Sequence, residues 1–242
     1  MSELAAAGRE PGAAGNAHHP ALQHHFVDLR QQREAVTLGM WVFIAQEVLF
    51  FGGLFATYTV YRSMYPQAFS AGSHHLSWKI GFANTLVLIA SSLTMAMAVH
   101  SAAVGRTRRI VGFLLATVLL GGVFLGVKYF EWGEKIFPCL GDGSHAGCLV
   151  PGEQFDASAI HAEGIEGRHA QIYFALYFGM TGLHALHMIV GIPIVLTIAW
   201  LATRGRFTPV YHTPVEIVGL YWHFVDIIWI FLFPLFYLVG AH

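Results

Sequence analysis

A chain of 242 residues that is 55% hydrophobic and only 11% charged carries too few charges to wet the surface of a soluble globule of this size. Its formal net charge of -1 and the lack of a long basic block give no reason to expect nucleic acid as a partner. Both facts direct the reading toward a lipid bilayer.

Residues 1–35 are rich in Ala, Gly and His (AAAGREPGAAGNAHHPALQHHF) and lack the continuous apolar core of a signal peptide. They read as a cytoplasmic, solvated and disordered tail. Its paired histidines, His18, His19, His24 and His25, have metal-donor chemistry but sit in a composition typical of a solvated segment. The stretch FVDLRQQREAVTLGMW then forms an amphipathic approach to the first of five apolar stretches, at 38–61, 80–103, 110–130, 172–201 and 215–239. Each approaches or exceeds the length at which a helix rising 1.5 Å per residue crosses about 30 Å of hydrocarbon, and the fourth is long enough to tilt or project. The expected fold is all-α, a single membrane domain over 36–242 built as a bundle of five transmembrane helices. Arginine placement favours an N-terminus inside and a C-terminus outside, because the short loops VGRTRR and TRGRF hold Arg106, Arg108, Arg109, Arg204 and Arg206.

The longest connection, 134–169, lies outside in this orientation and contains both cysteines, Cys139 and Cys148. An oxidised pair is chemically permitted there, and the glycines between the two let the chain turn back; two unpaired thiols are the other reading. A C-x8-C pair is a poor metal signature, since zinc sites use closer cysteines and four ligands.

Ionisable residues inside the apolar stretches are the informative ones, because each needs a partner, a cavity or a neutral protonation state in hydrocarbon. Counted from the inner side, Glu47 in the first span, His184 and His187 in the fourth, and His223 and Asp226 in the fifth fall at one depth. His223 and Asp226 share a helical face, and Glu47 is expected to meet the fourth or fifth span rather than lipid. This buried polar layer reads as a structural tie between helices or as a proton-handling device, the latter being the basis of an autonomous proton-coupled transporter. The absence of an internal repeat weighs against duplicated transporter architectures. Near the outer end of the third span, Lys128 and Glu131 stand three apart, with the lysine head reaching for the interface in an intrahelical ion pair. Trp41, Tyr65, Trp78, Trp132 and Trp200 fall near span ends, as interfacial aromatics do.

Haem ligation is poorly served. His184 and His187 project within about 60° of each other on one helix and cannot bind opposite faces of an iron; His184 with His223 remains as a cross-helix pair for a b-type cytochrome. There is no Cys-x-x-Cys-His and no glycine-rich nucleotide motif.

From about Thr37 onward the motifs occur in a telling order: AQEVLFF with Glu47; Asn84 and Thr85; His100 and Ser101; TGLHALHMIVG with Thr181, Gly182, His184, His187 and Gly191; and VEIVGLYWHFVDIIWIFLF with Glu216, Tyr221, Trp222, His223, Phe224, Asp226 and Trp229. In these the chain resembles subunit III of the haem-copper respiratory oxidases, the cytochrome c oxidase subunit III family. The resemblance implies a non-catalytic accessory subunit of a proton-pumping oxidase in aerobic electron transport, in the bacterial plasma membrane. Such a subunit has no redox centre of its own, with haem and copper in partner subunits. It packs on subunit I beside subunit II, binds phospholipid and sustains proton uptake. Arg204 and Arg206 are the headgroup candidates, since arginine binds phosphate through paired hydrogen bonds, and they serve equally as ordinary positive-inside charges. Larger family members have seven helices, so the two not seen here are expected on subunit I. Lys128 and Trp132 flank Glu131 where the family often has Gln and Tyr. That keeps open a quinol oxidase or nitric oxide reductase branch, and the cysteine loop is a candidate contact for a partner subunit or an electron-donating complex.

Overall fold

A computed structural model of the chain describes residues 22–140, 147–160 and 167–240. These residues form six helices in the order α1 (Leu29–Met64), α2 (Pro66–His74), α3 (Trp78–Ala103), α4 (Thr107–Ile136), α5 (Gly167–Thr203) and α6 (Thr213–Tyr237), with two short 3-10 turns at Phe137–Leu140 and Ala157–Ala159. No strand occurs among the described residues. All the helices except α2 are long and apolar enough to span a membrane, so the chain is an all-α, multi-pass membrane protein with five spans.

Helix ends differ from the apolar limits for physical reasons. The tail expected to run to residue 35 gives way to helix at Leu29, because the Asp28 carboxylate accepts the Gln31 N–H at 2.7 Å as an N-cap. The next residues, LRQQRE, are sound helix formers although polar. The rings of His24 and His25 lie 3.6 Å apart, centroid to centroid, tilted at 45°; His18 and His19 lie outside the described residues. α5 has 37 residues, about 55 Å of rise, which exceeds the hydrocarbon thickness as its length suggested. α2 fills what reads as loop: Pro66 occupies its first turn, and Phe69 is buried against Tyr58 of α1 and Tyr173 of α5, at 5.2 and 5.4 Å.

α3, α4, α5 and α6 pack most closely, and α1 leans on α5 and α6 with far less contact. Two tryptophans on α6 lock it to α3. Trp222 Nε1 donates to Ser91 Oγ at 3.0 Å, and Trp229 Nε1 donates to Thr85 Oγ1 at 3.1 Å. The Trp222 ring fits only because Gly121 of α4 and Gly191 of α5 lack side chains: a Cβ on Gly121 would stand 2.9 Å from the ring edge. Asn84 Nδ2 donates to Phe124 O, and the Thr94 and Thr117 hydroxyls meet at 2.7 Å, joining α3 to α4.

The two ends of the bundle are chemically unlike. At one, Gly105 turns the chain at φ +75°, and the space where its Cβ would stand is 3.0 Å from Pro209, so the arginine-rich turns 104–106 and 204–212 lie together. At the other, Cys139 and Cys148 are disulfide-bonded, with Cα atoms 4.8 Å apart, which decides between the two cysteine readings. Asp156 braces the closed turn, accepting from Gly147 N at 2.7 Å and donating its own N–H to Cys148 O at 2.9 Å.

Candidate functional site

The ionisable residues inside the bundle form separate clusters. Glu47 on α1 and His187 on α5 face each other, Oε2 to Nε2, at 3.4 Å, which is the cross-helix partnership expected of Glu47. His187 Nδ1 lies 2.7 Å from Leu183 O; a carbonyl only accepts, so Nδ1 carries a hydrogen and Nε2 is the atom that answers the carboxyl. Tyr221 of α6 donates to His187 O at 2.9 Å, bringing a third helix to the same point.

His184, one helical turn away, is buried and turned elsewhere. Its ring lies edge-on to Phe124 (5.4 Å) and tilted against Trp229 (5.1 Å), with neither ring nitrogen hydrogen-bonded. His223 and Asp226 keep to one face of α6, but that face meets α3 rather than Glu47: His223 Nδ1 is 2.7 Å from Ser92 Oγ. Both line a groove between α3 and α6. Thus the single layer inferred from depth is divided by direction into a Glu47–His187 tie, an aromatic slot for His184 and a groove for His223 and Asp226. His184 and His223, the cross-helix pair considered for haem, have different surroundings, and among the described residues no group of three or more His, Cys, Asp or Glu is arranged to hold a metal.

The most complete cluster is the one the sequence placed at an interface. Lys128 Nζ donates to Glu131 Oε2 at 3.0 Å, to Tyr177 OH at 3.2 Å and to Tyr237 OH at 2.7 Å. Both phenols in turn donate to Glu131 Oε1, at 2.9 and 2.5 Å. An ammonium has three donors and all three are used. The Trp229 ring lies 5.0 Å from the same nitrogen, adding cation–π attraction. Lys128 is 3% exposed and Glu131 8%. The expected ion pair therefore exists, but the lysine does not reach outward. α4 continues two further turns beyond it to Ile136, and a carboxylate and two phenols turn the head into the bundle. Lys135 is buried as well, donating to Glu131 O at 3.2 Å.

Tyr177, Tyr237 and Ser92 are the residues that the sequence reading missed, and Tyr221 enters it only as part of a motif, without its role. Each is a hydroxyl on an otherwise apolar face, a weak signal until its partner helix is known. Trp132 also departs from an interfacial role, since its ring packs beside Phe178 (5.9 Å) and over Gly182. Trp41, Trp78 and Trp200 are exposed. Arg204 lies with its guanidinium 4.6 Å from the Trp200 ring centroid, and Arg204 and Arg206 are both exposed at the arginine-rich end.

Comparison with known proteins reads this architecture consistently. The sequence profile of the family described as Cytochrome c oxidase subunit III matches residues 23–162 and 167–241. The chain is 29% identical over 206 residues to a Cytochrome c oxidase subunit 3 of Corynebacterium diphtheriae, covering 84% of this chain and 88% of the relative. A protein of the same name from Thermostichus vulcanus is 31% identical over 203 residues, covering 84% and 86%. A Heme-copper oxidase subunit I+III of Aeropyrum pernix is 30% identical over 219 residues, 86% of this chain but 23% of that protein. With its five spans, its motif order and nearly all its described length accounted for by one family, the chain belongs to the cytochrome c oxidase subunit III family.

Proposed function

We propose that this chain braces a haem-copper cytochrome c oxidase without performing its chemistry: it packs on subunit I, holds phospholipid, and sustains the stability and proton uptake of the catalytic subunit. The observation that carries this reading is how the buried ionisable groups are used. Lys128, Glu131, Tyr177 and Tyr237 satisfy one another, and Glu47 faces His187 at 3.4 Å, at ion-pair distance without a hydrogen bond, so these groups tie helices of the same chain together. A proton-coupled transporter needs a continuous row of exchangeable groups. Here Phe124 and Trp229 pack around His184, between the clusters, and leave it without a hydrogen bond.

Membership of an oxidase complex follows from the family, and with it association with subunit I. That the Aeropyrum relative bears both numerals in one name supports direct contact with subunit I here, and two further helices on that subunit accord with a five-span chain. The names of the relatives support cytochrome c rather than quinol as the electron donor. Haem and copper then reside in subunits I and II, in a bacterial plasma membrane. For orientation, the arginine-rich turns at one end and the disulfide at the other support an N-terminus inside, because positive loops stay cytoplasmic and disulfides persist where the compartment is oxidising. Exposed Arg204 and Arg206 at the inner end suit anionic lipid headgroups.

The test is to tag the chain and purify it from its own membranes. Co-purification with a haem-bearing subunit I is expected, as is faster loss of oxidase activity during turnover when the chain is deleted. Undiminished turnover and proton uptake in the deletion strain would refute the bracing role, and haem absorbance from the chain alone would refute the absence of a redox centre.

A further inference from the structure

Lys128, Glu131, Lys135 and Cys139 follow one another at steps of three, four and four residues, so they form one stripe along α4 and the turn that ends it. Glu131 holds Lys128 through its carboxylate and accepts from Lys135 Nζ on its carbonyl, at 3.2 Å. The stripe is covered to its end: Lys135 is 5% exposed, although it is the last residue but one of α4. A lysine so near a helix end ordinarily extends to water. What crosses over this one is the segment 147–160. Cys148 is bonded to Cys139, one turn beyond Lys135 on the same stripe, and the next residue, Leu149, donates its N–H to Lys135 O at 3.5 Å.

That segment has the two faces of a cap. Cys148, Leu149 and Ile160 are buried, while Gly152, Glu153, Gln154 and Ser158 are exposed. Phe155 packs on Phe174 of α5 at 6.0 Å, and Ala157 abuts Gly167, the first residue of α5. The Leu149–Lys135 hydrogen bond is long at 3.5 Å, so the covalent link is the strong hold of the cap on α4. It joins cysteines nine apart in sequence, and closing such a loop removes conformations in which the cap swings free. Cys148 is fully buried but Cys139 is partly exposed, which makes Cys139 the sulfur open to attack. Opening the bond is a thiol–disulfide exchange: an external dithiol gives up two electrons and two protons, the S–S bond breaks, two thiols remain on the chain and the dithiol leaves as its own disulfide.

We propose that residues 147–160 are a redox-latched cap: the Cys139–Cys148 bond holds them over Lys135 and shuts water out of the Lys128–Glu131 end of the bundle, and reduction releases them. The latch does not depend on the oxidase-subunit reading, because every group in it belongs to this chain. The chain has three lysines, of which Lys79 is exposed and Lys128 and Lys135 are buried, so an amine-reactive acetylating reagent, read residue by residue by peptide mass spectrometry on the full-length detergent-purified protein, tests it. In the oxidised protein Lys79 should be modified and the other two protected. After reduction and thiol capping, modification of Lys135 should speed up at least about tenfold, the weight of a closed loop of this size, with Lys79 unchanged and Lys128, about 10 Å deeper along α4, still the slowest. The Cys139→Ser, Cys148→Ser double variant should match the reduced protein without any reductant. Fast modification of Lys135 in the oxidised protein would overturn the cap, and continued protection of Lys135 after reduction would overturn the latch. Loss of helical circular dichroism, with Lys128 and Lys135 modified together, would overturn local opening in favour of a general staple.

Discussion

Replacing Lys128 by methionine keeps an unbranched apolar stem of four atoms and removes the terminal ammonium, which isolates what that group contributes. The substitution deletes hydrogen bonds to Glu131, Tyr177 and Tyr237 and leaves the Glu131 carboxylate with two phenol donors but without the Lys128 ammonium, while Lys135 still donates to the Glu131 backbone carbonyl. Removing one member of a buried ion pair costs about 3–5 kcal/mol, because the surviving charge stays desolvated. Taking about 2–4 °C per kcal/mol for a chain of this size, the melting temperature should fall by about 6–20 °C. Size-exclusion chromatography after heating the detergent-purified protein measures this directly. Glu131→Gln in the same molecule should restore more than half of the loss, since a neutral amide still accepts from Tyr177 and Tyr237. A Lys128→Met protein as stable as the parent, or a double variant no better than the single, would refute the claim that the pair is held desolvated and acts as a unit.

Three further outcomes follow from the geometry. Glu47→Gln should assemble with subunit I nearly as well as the parent, while Glu47→Ala, which leaves His187 Nε2 without its partner at 3.4 Å, should lose assembly by an amount corresponding to about 1–3 kcal/mol; equal assembly of both, measured by co-purification, would remove the tie. Gly121→Ala places a Cβ 2.9 Å from the Trp222 ring and should destabilise by about 1–3 kcal/mol through overpacking, read by the same melting assay. Cys139 and Cys148 should react with a membrane-impermeant maleimide only after reduction, and only from the outer side of sealed cells; reaction from the inner side alone would reverse the proposed orientation.

Much of this structure was legible because hydrocarbon imposes a length, and five apolar stretches of that length fix five spans. Hydropathy marks where a helix is apolar rather than where it is helical, so the polar first turns of α1 and the first residues of α5 lay beyond its reach. α2 was hidden for another reason: nine residues are too few to cross the membrane, and Phe69 is decisive only once Tyr58 and Tyr173 are known to surround it. Depth along each span set Glu47 against the fourth or fifth span, and the fourth supplies its partner His187. Depth carries no azimuth between helices, however, so it could not show that His223 and Asp226 turn toward α3. Lys128 was misplaced because a lysine near a span end ordinarily reaches for water. What holds it inside is Tyr177 and Tyr237, which lie 49 and 109 residues further along the chain.

The light attachment of α1 has a consequence for biogenesis. Apart from the adjoining α2, whose Phe69 packs on Tyr58, its contacts are with residues made much later: Glu47 waits for His187, and the Tyr58 hydroxyl donates to the carbonyl of Leu235, 177 residues downstream. At about 5–20 residues per second, the newborn first span resides in the bilayer for roughly 10–35 s before its partners on α5 and α6 emerge from the ribosome. During that interval its glutamate has only lipid, water or the insertion machinery for company. Early α1 is therefore the stage at which a holding factor, or slow release from the translocon, would most improve the yield of assembled subunit.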